Sequence, residues 1–458
     1  MELYVNYYKG KYTLSSNIIL RKSFLKCSIY NIYTDTSTDI NFALYSILTY
    51  FVSNATNLTE ISYFLSKKGI VVDFNKVQNL LNHRDDFINI LVAKDVPYNI
   101  SNPYINYNII NHYEYTPENI DLLITNKCNL QCPHCYRNSS SIDPIKNISI
   151  KRWYALIDEM EQLRVRSLKI TGGEAFLVSE LFEIIDYASK KRIHIAILTN
   201  GTIPLHNKWF NLLSRPNIIL GVSLDGATSD TNDKIRGVNS FNKTCLNLLK
   251  FKEFNIKFSI TFTVNVHNYN EIDSMVELAY KLGAKTLMFN FIEESGRALK
   301  NKQLYQNCGF DKNTIKQKIE IIKQSESRIR IVMVDNHGLV TNKEDLKMID
   351  DKKNLIICKA GFGSFAIDSD LRVAPCIYGI GGKKEYIIDN LQHKSIQEVW
   401  NSSNFDLFRG GIKIDNLPKC RECVNKDVCN LKYCRLRPIY EGNNIYDTVS
   451  FCEYNLLT

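Results

Sequence analysis

The 458-residue sequence lacks several features that mark particular protein classes. It has no apolar run of the roughly 18 residues that a membrane span needs, so no membrane span is expected. Its first residues, MELYVNYYKGKYTL, contain no basic stretch followed by an apolar core, so we expect no secretion signal. No internal repeat or low-complexity tract occurs. With 45% hydrophobic and 23% charged residues, the composition excludes disordered, collagenous and fibrous proteins. The length predicts roughly three domains.

The net charge is also small for a chain of this length. The 57 Lys and Arg residues exceed the 48 Asp and Glu residues by 57 − 48 = 9, which gives a charge of +9. This mild basic bias fits an acidic peptide or a nucleotide-like small molecule as a partner, and it does not by itself argue for nucleic-acid binding. We therefore expect neither a nucleic acid nor a membrane among the partners.

Cysteine, in contrast, is abundant, with 13 residues. Without an export signal the protein is expected in the cytoplasm, where thiols stay reduced and clustered cysteines more often bind metal than form disulfides. Three of them lie within 128–135, and seven lie in the last hundred or so residues: Cys358, Cys376, Cys420, Cys423, Cys429, Cys434 and Cys452. The isolated Cys27, Cys245 and Cys308 are interpreted as structural residues.

Residues 117–300 alternate between strand-like and helix-like patterns. Between the strand-like runs, apolar residues recur three and four positions apart, as in 152–163 and in 271–283, where Gly283 marks a helix end. Six strand-then-helix units predict an α/β fold with a parallel sheet, a partial (β/α)6 TIM-like barrel whose chemistry lies at the carboxyl ends of the strands. The six apolar runs are 120–125, 167–173, 194–201, 218–226, 256–264 and 286–292.

The regions on either side of this barrel differ from it in composition. Residues 1–95 open with short Tyr-rich strand-like pieces and continue with helical patterns at 41–53, 58–68 and 75–83, which predicts a small binding module. Residues 96–116 are rich in Asn, Tyr and Pro and are predicted to form a linker. Residues 301–350 are Lys-rich and partly helical, and only a bridging role is predicted for them. Residues 351–458 form a third, Cys-rich domain.

The first cysteine group has a spacing that suits an iron–sulfur cluster. In TNKCNLQCPHCYRNSS, Cys128, Cys132 and Cys135 can bind three corners of a cube-shaped [4Fe–4S] cluster and leave the fourth iron free for an exchangeable small molecule. The alternative is a structural zinc site, which needs four ligands and would use His134 as the fourth.

This Cys-x3-Cys-x2-Cys motif, with the aromatic Tyr136 after its last cysteine, resembles that of the radical S-adenosylmethionine (radical SAM) superfamily. The resemblance implies that the open iron binds the amino and carboxylate groups of SAM, and that Tyr136 lies in the cofactor site. It further implies that one electron from the cluster cleaves SAM to a 5′-deoxyadenosyl radical, which takes a hydrogen atom from the substrate. The three cysteines are thereby assigned as catalytic, and the protein supplies orientation and exclusion of water.

Motifs at the next strand ends support this resemblance. ITGGEAF, at 170–176, resembles the superfamily's Gly-Gly-Glu-Pro motif with Ala in place of Pro; Gly172 and Gly173 would allow close backbone approach, and Glu174 would reach the SAM amino group. TNG (199–201) and VSLDG (222–226) resemble the segments that follow. The resemblance implies that SAM is also bound by Asn200, by Ser223 and, through its carboxylate, by Arg236. The Asp225-Gly226 pair is interpreted as a turn only.

The second cysteine group resembles the SPASM extension of radical SAM enzymes that modify peptides and proteins. Two departures stand out: Leu371 occupies the place of a Gly, and four residues instead of three separate Cys429 from Cys434. By resemblance, two auxiliary [4Fe–4S] clusters are bound. In one of them the fourth iron is open, has a ligand other than Cys, or is completed by a thiolate of the peptide. A four-cysteine, zinc-ribbon-like site is the alternative, since zinc and iron both suit sulfur ligands. The implied ligand sets are Cys420, Cys423, Cys429 and Cys452, and Cys358, Cys376 and Cys434.

The N-terminal region resembles the winged-helix-like, leader-recognition element of peptide-modifying systems, in which a leader peptide adds a strand to a sheet edge. Together these resemblances imply a radical SAM/SPASM maturase of a ribosomally made precursor peptide, of the sactipeptide or bacteriocin type that forms bridges from Cys sulfur to an α-carbon. A flavodoxin or ferredoxin would supply electrons. The alternatives are carbon–carbon cross-linking, epimerisation or formylglycine formation, and, as a non-enzyme, an iron–sulfur redox sensor.

Overall fold

The computed structural model describes part of the chain, including nearly all of the predicted barrel. At the N-terminus it places two antiparallel units, one of two strands and one of three. These strands are β1 (Val5–Tyr8), β2 (Lys11–Leu14), β3 (Ile18–Lys22), β4 (Cys27–Asn31) and β5 (Thr36–Ile40). The described residues are 5–8, 11–14, 18–22, 27–31, 36–40, 116–145, 148–292, 295–306, 310–334, 360–361, 363–380, 386–423, 436 and 444–447.

Some expectations fall outside these residues. The three helical patterns between 41 and 83, on which the leader-recognition prediction depends, lie outside the described residues, as does nearly all of the linker at 96–116. The N-terminal strands agree with the strand-like pieces at the start of the sequence. The role of this module stays a prediction.

The predicted α/β barrel sheet is confirmed. Six parallel strands pair in sequence order, so each crossover returns the chain to the next position in the sheet. Each strand begins within two residues of its predicted start and ends within three residues of its predicted end. The agreement is close because long apolar runs define the limits of a buried strand well. They are β6 (Asn119–Thr125), β7 (Ser167–Gly172), β8 (His194–Thr199), β9 (Ile218–Ser223), β10 (Phe258–Val264) and β11 (Thr286–Phe291).

Helices connect these strands and cover one face of the sheet. The first begins after Ser149, whose hydroxyl accepts a hydrogen bond from the backbone N–H of Arg152, and the last ends at Gly283 in a left-handed conformation, as predicted. The helices of this part are α1 (Ile150–Gln162), α2 (Leu181–Ser189), α3 (Asn207–Leu213), α4 (Ser229–Arg236), α5 (Ser240–Glu253) and α6 (Ile272–Leu282).

The sheet extends beyond the six predicted strands at both edges. Residues 301–350, predicted only to bridge, contribute α7 (Lys312–Ser325) and a strand, β12 (Arg330–Val334), which pairs parallel with β11. At the other edge β13 (Ser364–Asp368) pairs parallel with β6, and β14 (Arg372–Ala374) and β15 (Asp389–Asn390) continue antiparallel. The Cys-rich region therefore shares a sheet with the barrel. Its short helices are α8 (Ile377–Ile380), α9 (Ile396–Trp400) and α10 (Pro418–Arg421).

The main core lies between the sheet and the helices. Alternate residues of β6, Ile120, Leu122 and Ile124, are buried in this core, whereas Asp121 and Leu123 point to the opposite face of the sheet. Because the strands are parallel, their carboxyl ends share one edge, and the loops that follow them meet there. None of the described helices has the length and apolar character that crossing a bilayer would require.

We expect the core of β10 to be critical for stability. Phe262 is fully buried and its ring meets that of Phe289 edge to face at 5.7 Å between centroids. Replacing Phe262 by Ala removes this contact and leaves a cavity, so the free energy of unfolding should fall by about 3–5 kcal/mol in urea denaturation followed by circular dichroism. The control is Leu246→Ala on α5, an exposed side chain whose loss should cost about 0.5 kcal/mol or less. Equal losses in the two variants would contradict this packing.

Candidate active site

The three-cysteine loop follows β6 and is closed at its base by hydrogen bonds. The backbone N–H of Cys128 donates to the carbonyl oxygen of Ser140 at 2.9 Å. The carboxylate of Asp143 accepts from Asn126 Nδ2 at 2.7 Å and from the backbone N–H of Ser140 at 2.9 Å. Asn126 in turn accepts from the hydroxyl of Ser139. These bonds bring both ends of the loop together and hold the segment that carries the three cysteines.

Burial governs the thiols of this loop. It raises the pKa of Cys128 and raises that of Cys132 to about 11, so both are protonated at neutral pH without a metal. Binding iron must therefore displace these protons. A backbone N–H, that of Leu130, points at the Cys128 sulfur at 3.4 Å and is placed to stabilise a thiolate.

Three thiols in one loop, two of them buried, fit the donor set of a [4Fe–4S] cluster. Among the described residues, no three His, Cys, Asp or Glu side chains converge to hold a single metal ion. A cluster needs no such convergence, because each thiolate binds a different iron atom. Which cysteines are ligands stays a prediction.

His134 lies inside the loop but is engaged elsewhere. Its Nε2 is 3.3 Å from the Oδ2 of Asp225, a carboxylate that follows β9. Burial lowers the pKa of His134 to about 4, so the imidazole is neutral. Since His134 contacts Asp225, the arrangement does not favour the zinc alternative that would use this imidazole as the fourth ligand.

Gly172 and Gly173 allow a close approach, as expected, but the partner is the protein's own backbone. A Cβ atom on Gly173 would lie 2.6 Å from the carbonyl oxygen of Asn126 and nearer still to that of Lys127. One on Gly172 would overlap the carbonyl oxygen of Thr125. The N–H of Gly173 donates to Thr125 at 2.7 Å. The two glycines thus let the end of β7 lie against the start of the cysteine loop.

Glu174 is fully buried and links three strand ends. Its backbone N–H donates to the carbonyl oxygen of Lys127 at 2.8 Å, and its carboxylate accepts from the hydroxyl of Thr199 at 2.8 Å and the backbone N–H of Asn200 at 2.7 Å. Burial raises the pKa of this carboxyl group, whereas the hydrogen bonds favour its charged form. The structure thus gives Glu174 a positioning role, and the predicted contact with the SAM amino group would use its remaining acceptor capacity.

Asn200 and Ser223 lie at the carboxyl edge where they were predicted. Asn200 is buried, and its amide donates to the side chain of Asn129 inside the cysteine loop at 2.9 Å and lies 3.9 Å from the Cys128 sulfur. Ser223 is the last residue of β9 and is partly exposed. Asn200 therefore supports the loop directly, and for Ser223 contact with SAM stays a prediction.

Asp225, interpreted from the sequence as a turn residue, is the fully buried centre of a charged network. Its Oδ2 accepts from Arg236 Nε at 2.7 Å, and its Oδ1 accepts from the backbone N–H of Thr263 at 2.7 Å. Arg236 makes no hydrogen bond from its two Nη atoms to any described residue. The guanidinium is therefore held by one edge, and its other donors are free to bind a carboxylate. The sequence signals for Asp225 are its place at the end of a barrel strand and its inclusion in the VSLDG segment.

Tyr136 lies between the cysteine loop and the Cys-rich domain. Its ring centroid is 5.7 Å from that of Tyr378, in α8 of that domain. Burial raises the pKa of Tyr136 to about 12, so the phenol stays protonated, and Cys135 and Cys376 are among the nearby groups that act on it. The residue predicted to bind SAM thus also connects the two cysteine-rich parts.

The Cys-rich domain is described only in part. Cys376, Cys420 and Cys423 are partly buried. Cys358, Cys429, Cys434 and Cys452 lie outside the described residues, so the predicted ligand sets and the zinc-ribbon alternative stay untested. Of the isolated cysteines, Cys245 packs against the main core, and burial raises its pKa to about 11.

Leu371 shows why glycine is expected at its position. It has φ of +59°, a left-handed conformation that costs an L-residue other than Gly about 1–2 kcal/mol. Its backbone N–H donates to the carbonyl oxygen of Asp368 in the tight turn between β13 and β14, and its side chain is buried in the main core. Burial of the leucine side chain offsets the backbone strain, so the turn forms although Leu replaces the Gly of the SPASM pattern.

Sequence comparison places two domains in the chain. Residues 122–279 match the radical SAM superfamily, and residues 358–424 match SPASM, an iron–sulfur cluster-binding domain. The first domain binds SAM on a [4Fe–4S] cluster, and the second binds auxiliary iron–sulfur clusters.

The Bacillus subtilis antilisterial bacteriocin subtilosin biosynthesis protein AlbA is 29% identical over 61% of this chain and 58% of its own length. The sporulation killing factor maturation protein SkfB of the same species is 30% identical over 40% of this chain and 43% of its own.

A solved protein shares the fold over most of its length. SuiB of Streptococcus suis superimposes with a TM-score of 0.70 in its structure with S-adenosylmethionine, covering 96% of this chain and 100% of SuiB at 17% identity. Its structure with the precursor peptide SuiA gives the same TM-score at 18% identity, covering 96% of this chain and 99% of SuiB. At this identity the likeness concerns the fold.

The contact of Gly173 with the cysteine loop can be tested by substitution. Gly173→Ala should push the loop away and cost about 1–3 kcal/mol of strain. We expect loss of the SAM-dependent change in the electron paramagnetic resonance (EPR) spectrum of the reduced, reconstituted protein. In the control Gly363→Ala, the nearest atoms would be those of Glu118 at 3.9 Å, so the spectrum should not change. A wild-type response from Gly173→Ala would disprove the close approach.

The buried ion pair makes a separate prediction. Asp225→Asn keeps the shape but removes the charge that holds Arg236, which should weaken SAM binding by about 1.5–3 kcal/mol, or roughly 10- to 150-fold. Isothermal titration of the reconstituted protein with SAM measures this change. Asp230→Asn, an exposed position on α4, is the matched control and should bind like wild type. Unchanged SAM affinity in Asp225→Asn would show that Arg236 does not depend on this anchor.

Proposed function

The chain is a radical SAM protein with a SPASM domain, and we propose that it modifies a ribosomally made precursor peptide by forming thioether bridges from Cys sulfur to α-carbon. The observation that carries this proposal is the junction of the two domains: a three-cysteine loop held at the carboxyl edge of the barrel, next to a SPASM strand paired with β6. The similarity to AlbA and SkfB, whose names refer to the biosynthesis of a bacteriocin and the maturation of a killing factor, supports the peptide as substrate.

The residues of the site have separable tasks in this proposal. When bound, the reduced cluster and SAM supply the one-electron chemistry that removes a hydrogen atom from the substrate. Cys128, Cys132 and Cys135 would hold the cluster through their thiolates. Arg236, anchored by Asp225, would orient the carboxylate of SAM through its Nη atoms. The buried network around the strand ends would exclude water from the reacting atoms.

The thioether is favoured over other bonds by the predicted ligands of the SPASM domain. Only Cys358, Cys376 and Cys434 are assigned to one auxiliary cluster, so a cysteine thiolate of the peptide can complete it. A cluster held by these residues would supply the one-electron oxidant that bridge formation needs, and the thiol proton would pass to solvent. The N-terminal module would bind the leader, and a cytoplasmic flavodoxin or ferredoxin would deliver the electron that starts each turnover.

The first experiment tests whether the protein cleaves SAM. Reduced, reconstituted protein should release 5′-deoxyadenosine and contain about 12 iron atoms per chain, as three [4Fe–4S] clusters require. Cys135→Ala should release none and retain about 8 iron atoms. Cys245→Ala, in which a cysteine outside all predicted ligand sets is changed, should behave as wild type. Absence of 5′-deoxyadenosine from the wild type would favour the iron–sulfur redox sensor.

The second experiment identifies the bond. The protein is co-expressed with a peptide encoded by a neighbouring short, Cys-rich reading frame, and the product is analysed by tandem mass spectrometry. Loss of two hydrogen atoms per bridge, with fragments that place the link at a Cys sulfur, is expected. The same loss between two carbons indicates carbon–carbon cross-linking. No mass change with altered stereochemistry indicates epimerisation, and an aldehyde indicates formylglycine. Any of these three results would overturn the thioether proposal.

A further inference from the structure

A short segment that follows the last predicted barrel strand lies directly against the cysteine loop. It consists of Ser295, the 3-10 helix Gly296–Lys300 and Asn301, and it follows β11 in the chain. No sequence motif points to it, because the residues it contacts lie some 160 positions earlier in the chain. Its contacts, however, fall on the backbone of the loop, including two of the three cysteines, Cys132 and Cys135.

Arg297 donates to three carbonyl oxygens of the loop. Its backbone N–H donates to Cys135 at 2.9 Å, its Nε to Cys132 at 2.8 Å and its Nη1 to Ser139 at 2.6 Å. Two of these acceptors belong to predicted cluster ligands, and the third lies where the loop closes. A single side chain and its own backbone therefore fix the loop at three points.

Its neighbours add to the same contact. Asn301 Nδ2 donates to the carbonyl oxygen of Pro133 at 3.2 Å, between the second and third cysteines. Gly296 has φ of +58°, and a Cβ atom there would overlap the carbonyl oxygens of Cys135 and Tyr136. The approach is thus as close as that of Gly173 on the other side. The cysteine loop is held between the end of β7 and this segment.

The guanidinium of Arg297 forms no ion pair within the described residues. There it contacts only carbonyl oxygens, whereas the buried Arg236 is paired with Asp225. A fixed positive charge favours the more negative, reduced state of a nearby cluster, since its Coulomb attraction is stronger for the state with more negative charge. The position of Arg297 therefore has an electrostatic consequence as well as a geometric one.

We propose that Arg297 is a positioning residue for the SAM-binding cluster: it holds the three-cysteine loop in its ligating shape, and its positive charge raises the reduction potential of the cluster. The inference rests on the assignment of Cys128, Cys132 and Cys135 as ligands, and it does not depend on the peptide or on the bond formed. Two properties follow from it: retention of iron by the loop, and the potential at which the cluster is reduced.

Two substitutions at Arg297 separate these properties in the full-length, reconstituted protein. Arg297→Gln removes the charge and most of the hydrogen bonds; Arg297→Lys keeps the charge but cannot reproduce the planar fork. The reduction potential is measured by redox titration followed by EPR, using the SAM-dependent signal to identify this cluster among the others. Retention of iron is measured as the rate of loss of that signal in the presence of a ferrous-iron chelator.

We expect Arg297→Gln to shift the potential to a more negative value and to lose the signal about 10- to 100-fold faster, as is typical when a second layer of ligand support is removed. Arg297→Lys should lose the signal faster than wild type while its potential stays close to that of wild type. The control is Arg328→Gln, an exposed arginine paired with Glu277 and Glu326, which should change neither property.

The outcomes decide the proposal in either direction. Wild-type potential and iron retention in Arg297→Gln would overturn it, and so would an Arg297→Lys potential as low as that of Arg297→Gln. If Arg297→Gln does not fold, Arg297→Lys and Asn301→Ala are compared with wild type instead. Asn301→Ala should lose iron faster than wild type at an unchanged reduction potential. Wild-type iron retention in both Arg297→Lys and Asn301→Ala would overturn the proposal. A wild-type protein without a SAM-dependent signal would instead refute the assignment of the three cysteines, which distinguishes the two failures.

Discussion

The site depends on direct contact between backbones at the carboxyl edge of the sheet. Gly172 and Gly173 at the end of β7 lie so close to the carbonyl oxygens that follow β6 that no side chain fits between them. Neighbouring parallel strands bring these two strand ends together, and the N–H of Gly173 fixes their spacing through its hydrogen bond to Thr125. A loop held in this way has few other conformations available, so less entropy is lost when its three thiols bind a common cofactor.

Charge is distributed around this contact in a consistent way. Glu174 has a buried carboxylate that accepts hydrogen bonds from hydroxyl and backbone donors at the end of β8. These bonds hold the ends of β7 and β8 together. Asp225 anchors Arg236 by one edge and leaves its Nη atoms available. Arg297 faces the loop without a carboxylate partner among the described residues. The acidic groups thus hold strand ends and Arg236 in place, and Arg297 holds the backbone of the cysteine loop.

Much of the barrel could be predicted from the sequence, because each strand is a long apolar run bounded by polar turns. The strand Arg330–Val334 was missed, since it is short, lies in a Lys-rich region and owes its order to pairing with β11. The three cysteines and the Gly-Gly-Glu segment were found because they are contiguous motifs. Asp225 and Arg297 were not, because their partners, Arg236 and the carbonyls of the loop, are defined by the fold and not by spacing along the chain.

The two cysteine-rich domains are coupled through one strand of the barrel. Strand β13 of the SPASM domain pairs with β6, the strand that leads into the three-cysteine loop. The register of this pairing fixes the position of one domain relative to the other. The turn after β13 keeps a left-handed backbone at Leu371 although the residue is not glycine, and the buried side chain ties that turn to the barrel core. Tyr136 of the loop also contacts Tyr378 of the SPASM domain. The position of the SPASM domain is therefore set by the same strand that sets the cysteine loop, and a change in the register of β6 would displace both cysteine sites together.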